Sequence, residues 1–428
     1  MIFCKKAGWG MALLFLCLIF GKGRTQKIEA AVQNVPESLE EESRLDTVGT
    51  DQETERAAVR EKKGQQEKEA GDTETDQAAA AQDELLAELD FDAIQQEVDS
   101  LLSSQQFSFA GTVRSLLQDG DPFRIFRAGN AVLSCAKTAF LAQKGLMKEL
   151  FLLVLAGAVL GSFSSLFEGK QVRDASFYMV YLLALALILK NFQSSGENLK
   201  AVITSLVAFM RILTPSYYLA AAAAGGASSA VMFYQMLLLV ILAVEKLLLA
   251  LVLPMIHIYL LIALVNDLSG EEILSHMTEL LETCVNGLLK SSLGVLVGMQ
   301  MIRNLIAPAL DSLRQMALWR TAGMIPGIGN AVNAVTELVA GSAVLIRNCF
   351  GVTAMLVLLA AGMVPAVQLL VSGLSFRLLA AAAQPVSDKR IAGCLAAAGK
   401  GYAMLLRLLL TVEVLFLLTI AILAGTFS

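Results

Sequence analysis

Two histidines, His257 and His276, and six cysteines are the chain's stock of soft metal ligands and thiol nucleophiles. Their spacing argues against both chemistries. Cys4 and Cys17 fall in an N-terminal apolar segment, while Cys135, Cys284, Cys349 and Cys394 are far apart and form no C-x-x-C pair. Neither histidine has a cysteine or paired carboxylates beside it, so no metal site is expected, and the cysteines read as small apolar residues within helices. No H-E-x-x-H, G-x-S-x-G or Walker A pattern occurs. "GIGNAV" at 327–332 has two glycines of a dinucleotide loop without the third, and no strand pattern precedes it. The residues point to a non-enzyme with no catalytic set, no cofactor and no nucleic-acid partner.

The informative polar groups are those set among apolar residues. Glu245 and Lys246 lie inside "LLLVILAVEKLLLALVLP". Intramembrane charges are costly and face a bundle interior or water. Adjacent helical positions lie about 100° apart, so each of the two needs a neighbour elsewhere or must snorkel, as a structural pair or as a functional polar site. The stretch "GMIPGIGNAVNAVTELVAGSAVLIRNCFG" at 323–351 carries a second set. Wound as a helix, Asn330, Asn333, Glu337, Gly341 and Asn348 fall in a stripe roughly 80° wide, with Val332, Val335, Val339 and Ile346 opposite. Pro326, Gly327 and Gly329 read as the turn before it, Asn330 as its N-cap, and Gly351 as the turn after it. Such a polar seam is either satisfied by neighbouring helices or lines a conduit or an oligomer axis.

Composition supplies the setting. The chain has 428 residues, 56% hydrophobic and 17% charged, with a mean hydropathy of +0.63. That is too little charge for a soluble protein of this length. Residues 26–120 hold 23 acids against 8 bases, and residues 121–428 hold 21 bases against 15 acids. An acidic front end therefore precedes an apolar body. Residues 1–31 read as a signal peptide that is cleaved, the alternative being an uncleaved anchor. Residues 32–82, rich in Glu, Gln, Thr and Ala, read as a disordered acidic linker. Residues 83–145 read as an extracytoplasmic helical region. There Leu85, Leu86, Leu89, Ile94, Val98, Leu101 and Leu102 mark one amphipathic helix, which should dock on a partner or on the membrane block. Val113, Leu116 and Leu117 mark a second.

Residues 146–428 read as a polytopic, all-α membrane bundle. About seven spans are expected, near 149–167, 176–192, 199–223, 230–253, 284–306, 352–374 and 403–425. The run 254–266, opened by Pro254, reads as a re-entrant arm or a kinked extension. "YYLAAAAAGGASSA", with Pro215 before it, reads as ordinary small-residue packing or as a helix broken at mid-membrane. The bilayer is the obligatory partner, and Lys170, Arg173, Lys389 and Arg390 favour cytoplasmic loops with the acidic front outside.

The glycine-rich stretch "IPGIGNAV…ELVAGSAVLIRNCFGVTAML", with "LVNDLS" at 264–269 and "ELDFDAIQQEVDSLLS…FSFAGTVRSLLQDGD", resembles the stage III sporulation protein AE family of endospore-forming bacteria. The likeness covers about residues 83–428. It implies a membrane subunit of the channel apparatus between mother cell and forespore, in the mother-cell membrane that surrounds the forespore. The partners it implies are the other proteins of the stage III A operon, with a ring-forming pair and a cytoplasmic ATPase, and stage II sporulation protein Q. A homo-oligomer is a further possibility. The competing reading is a secondary transporter acting alone, which should show matching broken segments in its two halves; 214–226 and 323–330 are the candidates, without a clear internal repeat.

Overall fold

The computed structural model describes residues 91–102, 107–119, 129–164, 170–223, 228–269, 274–322, 329–385 and 387–425. Contacts divide the chain into Met1–Leu86 and Ala87–Ser428, and every described residue belongs to the second unit. The expected signal peptide and acidic linker lie outside the described residues.

Every described element is helical. Two short helices, α1 (Phe91–Leu101) and α2 (Phe109–Asp119), precede α3 (Gly129–Ser164) and α4 (Lys170–Ala223). Then come α5 (Ser228–Leu247), a π-helical turn (Leu248–Val252), α6 (Leu253–Ser269), α7 (Ser275–Ala322), α8 (Gly329–Ala383) and α9 (Lys389–Gly425). Helix α3 runs without a break across residues 145 and 146. Among the described residues, five helical stretches are long and apolar enough to cross a membrane: Phe177–Tyr217, Leu238–Ser269, Ser275–Met299, Gly341–Ala383 and Lys389–Ala421.

Two mergers and one omission separate this set from the expected runs: the run 149–167 falls in α3, whose described part ends at Ser164, and is not among the five. The runs 176–192 and 199–223 form one helix, because the polar segment "KNFQSSGENLK" between them stays helical inside α4. The runs 230–253 and 254–266 also join, so the Pro254 segment is a continuation and not a re-entrant arm. The π turn explains how. Proline has no N–H and crowds the preceding turn, and a wider turn just before it absorbs the mismatch, with the Leu253 N–H reaching back to the Leu248 carbonyl. Helix α4 likewise continues through Pro215 to Ala223, so no break falls at that proline.

Helices α8 and α9 form the central antiparallel hairpin. Helices α3, α4 and α6 pack around it, and α7 joins α6 and α9. Outward faces are apolar: Met179, Leu239, Met301, Leu374 and Leu378 are each more than half exposed. Exposed apolar side chains on so many helices fit contact with lipid.

Helices α1 and α2 dock on this bundle against α4 and α8. Ile94, Val98, Phe109 and Val113 are wholly buried. Phe109 meets Phe350 of α8 edge to face at 5.0 Å between ring centres, and Phe91 and Tyr217 flank that pair. Gln95 holds the connection closed. Its amide donates to the Phe107 carbonyl at 2.7 Å and accepts from the Phe109 N–H at 2.8 Å. Ser108 caps α2 by accepting from the Gly111 N–H at 3.1 Å.

Val98→Glu places a carboxylate in this dry contact, which costs at least several kcal/mol unless the helix undocks. Limited proteolysis of the purified membrane protein should then release the segment carrying α1 and α2 while the bundle stays inserted. Gln96→Glu, at an exposed position, should leave the digestion pattern unchanged. A Val98→Glu digest identical to that of the unaltered protein would contradict the docked arrangement.

Candidate functional site

The polar centre of α4 becomes a junction of four helices around Tyr402. Asn191 Nδ2 donates to the Tyr402 hydroxyl at 2.6 Å. Ser195 Oγ donates to the Asn191 carbonyl at 2.9 Å and lies 3.3 Å from the same hydroxyl. Because the Ser195 proton is already committed, the Tyr402 O–H donates to Ser195 Oγ. The three groups close a ring of hydrogen bonds in which each donor has an acceptor.

Aromatic contacts fix the tyrosine. Phe376 of α8 stacks on its ring at 5.2 Å with an interplanar angle of 16°, and Phe192 of α4 meets it edge-on at 5.2 Å. Phe192 also meets His257 of α6 at 5.2 Å. His257 Nδ1 lies 2.8 Å from the Leu253 carbonyl, so that nitrogen carries the proton.

Glycines make room for this packing. A Cβ on Gly196 would come within 2.6 Å of the His257 ring, and one on Gly401 within 3.0 Å of Phe192. On the hairpin itself, a Cβ on Gly373 would sit 3.3 Å from Tyr402 Cβ, and one on Gly399 would lie 3.2 Å from the Gly373 carbonyl oxygen. The last contact is with backbone, which cannot turn aside as a side chain can.

A second junction ties α4, α6 and α9 together around "LVNDLS". The Tyr181 hydroxyl donates to the Leu264 carbonyl at 2.5 Å, and Asn266 Oδ1 accepts from the Leu274 N–H at 2.8 Å across the turn into α7. Asp267 faces Gly393, where a Cβ would stand 3.1 Å from the carboxyl carbon. Arg390 lies over the Phe177 ring at 5.4 Å. Helix α7 is held to α9 by the Glu282–Lys400 ion pair at 2.5 Å and by Arg407 donating to Asn286 at 3.1 Å.

Of the residues singled out in the sequence, Gly341 and Asn348 lie on an exposed face of α8, and a Cβ on Gly341 would meet nothing within 4 Å. The opposite face, with Ala343, Ile346 and Phe350, is buried. Gly329, Asn330, Asn333 and Glu337 lie within the first turns of α8, while Pro326 and Gly327 lie outside the described residues. The helix does not end at Gly351. A helical glycine costs about 1 kcal/mol, which burial of Phe350, Ala354 and Val357 around it outweighs. Glu245 is half-buried within electrostatic reach of Arg211 on α4, and Lys246 is exposed. Among the described residues, no group of three His, Cys, Asp or Glu is placed to hold a metal ion.

The sequence did not single out Tyr402, Asn191, Arg347 or Glu413, and Asp267 stood out only as part of "LVNDLS". Arg347 and Glu413 are each only 1% exposed. A charge inside an apolar run was the available signal for Glu413, in "TVEVLF".

A bundle of long apolar helices, joined by interior polar junctions and coated with exposed apolar side chains, defines a polytopic helical membrane protein. Residues 107–426 match the family model described as stage III sporulation protein AE, and the chain belongs to that family. It is 22% identical over 291 residues to stage III sporulation protein AE of Bacillus subtilis (strain 168), covering 67% of this chain and 73% of the relative. No solved structure matches.

Tyr402→Phe keeps the ring stack and removes the hydroxyl, leaving Asn191 and Ser195 without their shared partner. A buried donor so orphaned typically costs about 1–3 kcal/mol. The variant should unfold at a lower temperature than the unaltered protein in detergent with its helix content intact at the start. An unchanged unfolding temperature would show that the hydrogen-bonded ring contributes nothing.

Proposed function

We propose that this chain is a non-enzymatic membrane subunit of the sporulation channel complex that links mother cell and forespore and supports late forespore gene expression. On this reading it sits in the mother-cell membrane around the forespore, with its N-terminal region extracytoplasmic. Its partners are the other stage III A-operon proteins and stage II sporulation protein Q. Membership of a stage III sporulation family supports the setting.

One observation favours a subunit over a self-contained transporter. Helix α8 buries its apolar face against its own chain and turns Gly341 and Asn348 outward at the start of a membrane-crossing stretch. An exposed amide there is poorly served by lipid and well served by a partner helix or an aqueous passage.

The open space at Gly341 separates folding from assembly. Gly341→Leu and Asn348→Leu should accumulate in the membrane at the level of the unaltered chain, because a Cβ on Gly341 meets nothing within 4 Å and Asn348 is exposed. Crosslinking and purification from sporulating cells should then recover several-fold less of the partner proteins, with a matching fall in spore yield. Leu370→Met, at an exposed apolar position on the same helix, is the control. Full recovery of partners with both variants would contradict an assembly role for this face.

A further inference from the structure

The seam between α8 and α9 holds a carboxyl group that no polar junction described above uses. Glu413 is 1% exposed, and its carboxylate lies directly over Gly362, where any Cβ would overlap it. Its Oε1 is buried without a hydrogen-bond partner among the described residues. Thr353, Thr411 and Thr419 on the hairpin each donate to the carbonyl four residues earlier on their own helix. Glu413 Oε1 has no such bond among the described residues. A buried polar atom left unpartnered in a native fold calls for a functional or chemical reason.

No counter-charge supplies that reason. No charged side chain among the described residues acts on Glu413. On α8, Arg347 and Arg377 stand fifteen residues from Gly362 on either side, about 22 Å along the helix. Arg407 of α9 is exposed and bonded to Asn286 of α7, and Lys400 is paired with Glu282 of the same helix. Asp267 of α6 lies at the Gly393 level, near the other end of α9. On the flanking helices, Glu245 of α5 has Arg211 of α4 within reach.

The available occupants are a metal cation or a proton. A metal ion needs several oxygen ligands at bonding distance, and the carboxylate already fills the space over Gly362. A proton needs one oxygen and no added volume. We propose that Glu413 is an exchangeable proton-binding site set in the α8–α9 seam. The proton binds a carboxylate oxygen to give the neutral acid, and it leaves to water; only the O–H bond forms or breaks. Because an isolated ionised carboxylate is very costly to keep in a dry apolar seam, losing the proton drives the side chain toward water. Gly362 and Glu413 lie across the hairpin from one another, so that movement separates α8 from α9. Proton occupancy would thereby be linked to the packing of the bundle's central pair.

Infrared difference spectroscopy of the full-length protein in lipid nanodiscs, titrated with pH, tests this. The expected result is a protonated-carboxyl C=O band that is absent from Glu413→Gln and bleaches reversibly as the pH is raised. Identical spectra for Glu413→Gln and the unaltered protein at every pH would overturn the proposal. So would a Glu413 band that persists unchanged up to the pH at which the helices unfold, since the proton would then be fixed. If Glu413→Gln fails to accumulate, Glu413→Asp replaces it: a shift in the band supports the assignment, and an unshifted band overturns it.

Discussion

The close approach of α8 to α9 is the constraint on which the other contacts rest. Two helices packed through large side chains stand about 10 Å apart, and shorter separations require glycine or alanine at the crossing. Here Gly399 passes against the Gly373 carbonyl, and Gly362 lies beneath the Glu413 carboxylate. At the Gly373–Gly399 level the backbones themselves form part of the packing surface. In a bilayer, where apolar side chains gain little by leaving lipid for one another, such close van der Waals contact is a main source of helix association.

From this pair the rest of the bundle is placed. With the α9 backbone drawn in, the Tyr402 ring stacks on Phe376 and its hydroxyl reaches Asn191 and Ser195 on α4. That reach lets α4 carry a polar centre through a membrane-crossing helix without orphaned groups. His257 and Phe192 extend the contact to α6, with Gly196 and Gly401 providing the space. The proposed roles follow the same geometry. An outward face at Gly341 and Asn348 is available for assembly because the inward face of α8 is already committed. A proton site at Glu413 would act on the contact that holds the bundle's centre.

Much of this was legible in the sequence, and the parts that were not share a physical cause. Helical class, the apolar body and the amphipathic pattern of Ile94 and Val98 follow from periodicity, which burial enforces directly. The winding of 330–348 assigned Ile346 and Gly341 to opposite faces, and the structure buries the first and exposes the second. Element ends were harder to read. Gly351, Pro215 and Pro254 look like breaks by local preference, yet each is carried within a continuous helical stretch, because packing or a π turn outweighs a cost of one to a few kcal/mol. The Tyr402 junction was not legible, since Asn191 and Tyr402 are 211 residues apart and neither is unusual in its own helix. Glycines were equally ambiguous. Gly373 and Gly294 look alike in sequence, but one touches a neighbouring backbone and the other faces open space.

That contrast supplies the most direct measurement. Gly373→Leu inserts a branched side chain where Tyr402 and the α9 backbone already stand, and overpacking of this kind typically costs about 1–3 kcal/mol or more. Gly294→Leu makes the same chemical change on α7, where a Cβ meets nothing within 4 Å. Thermal unfolding of the two purified variants in detergent, each compared with the unaltered protein, reads the difference. A markedly lowered unfolding temperature for Gly373→Leu with little change for Gly294→Leu is the result expected if the α8–α9 approach holds the bundle together. Equal unfolding temperatures for the two variants would contradict it.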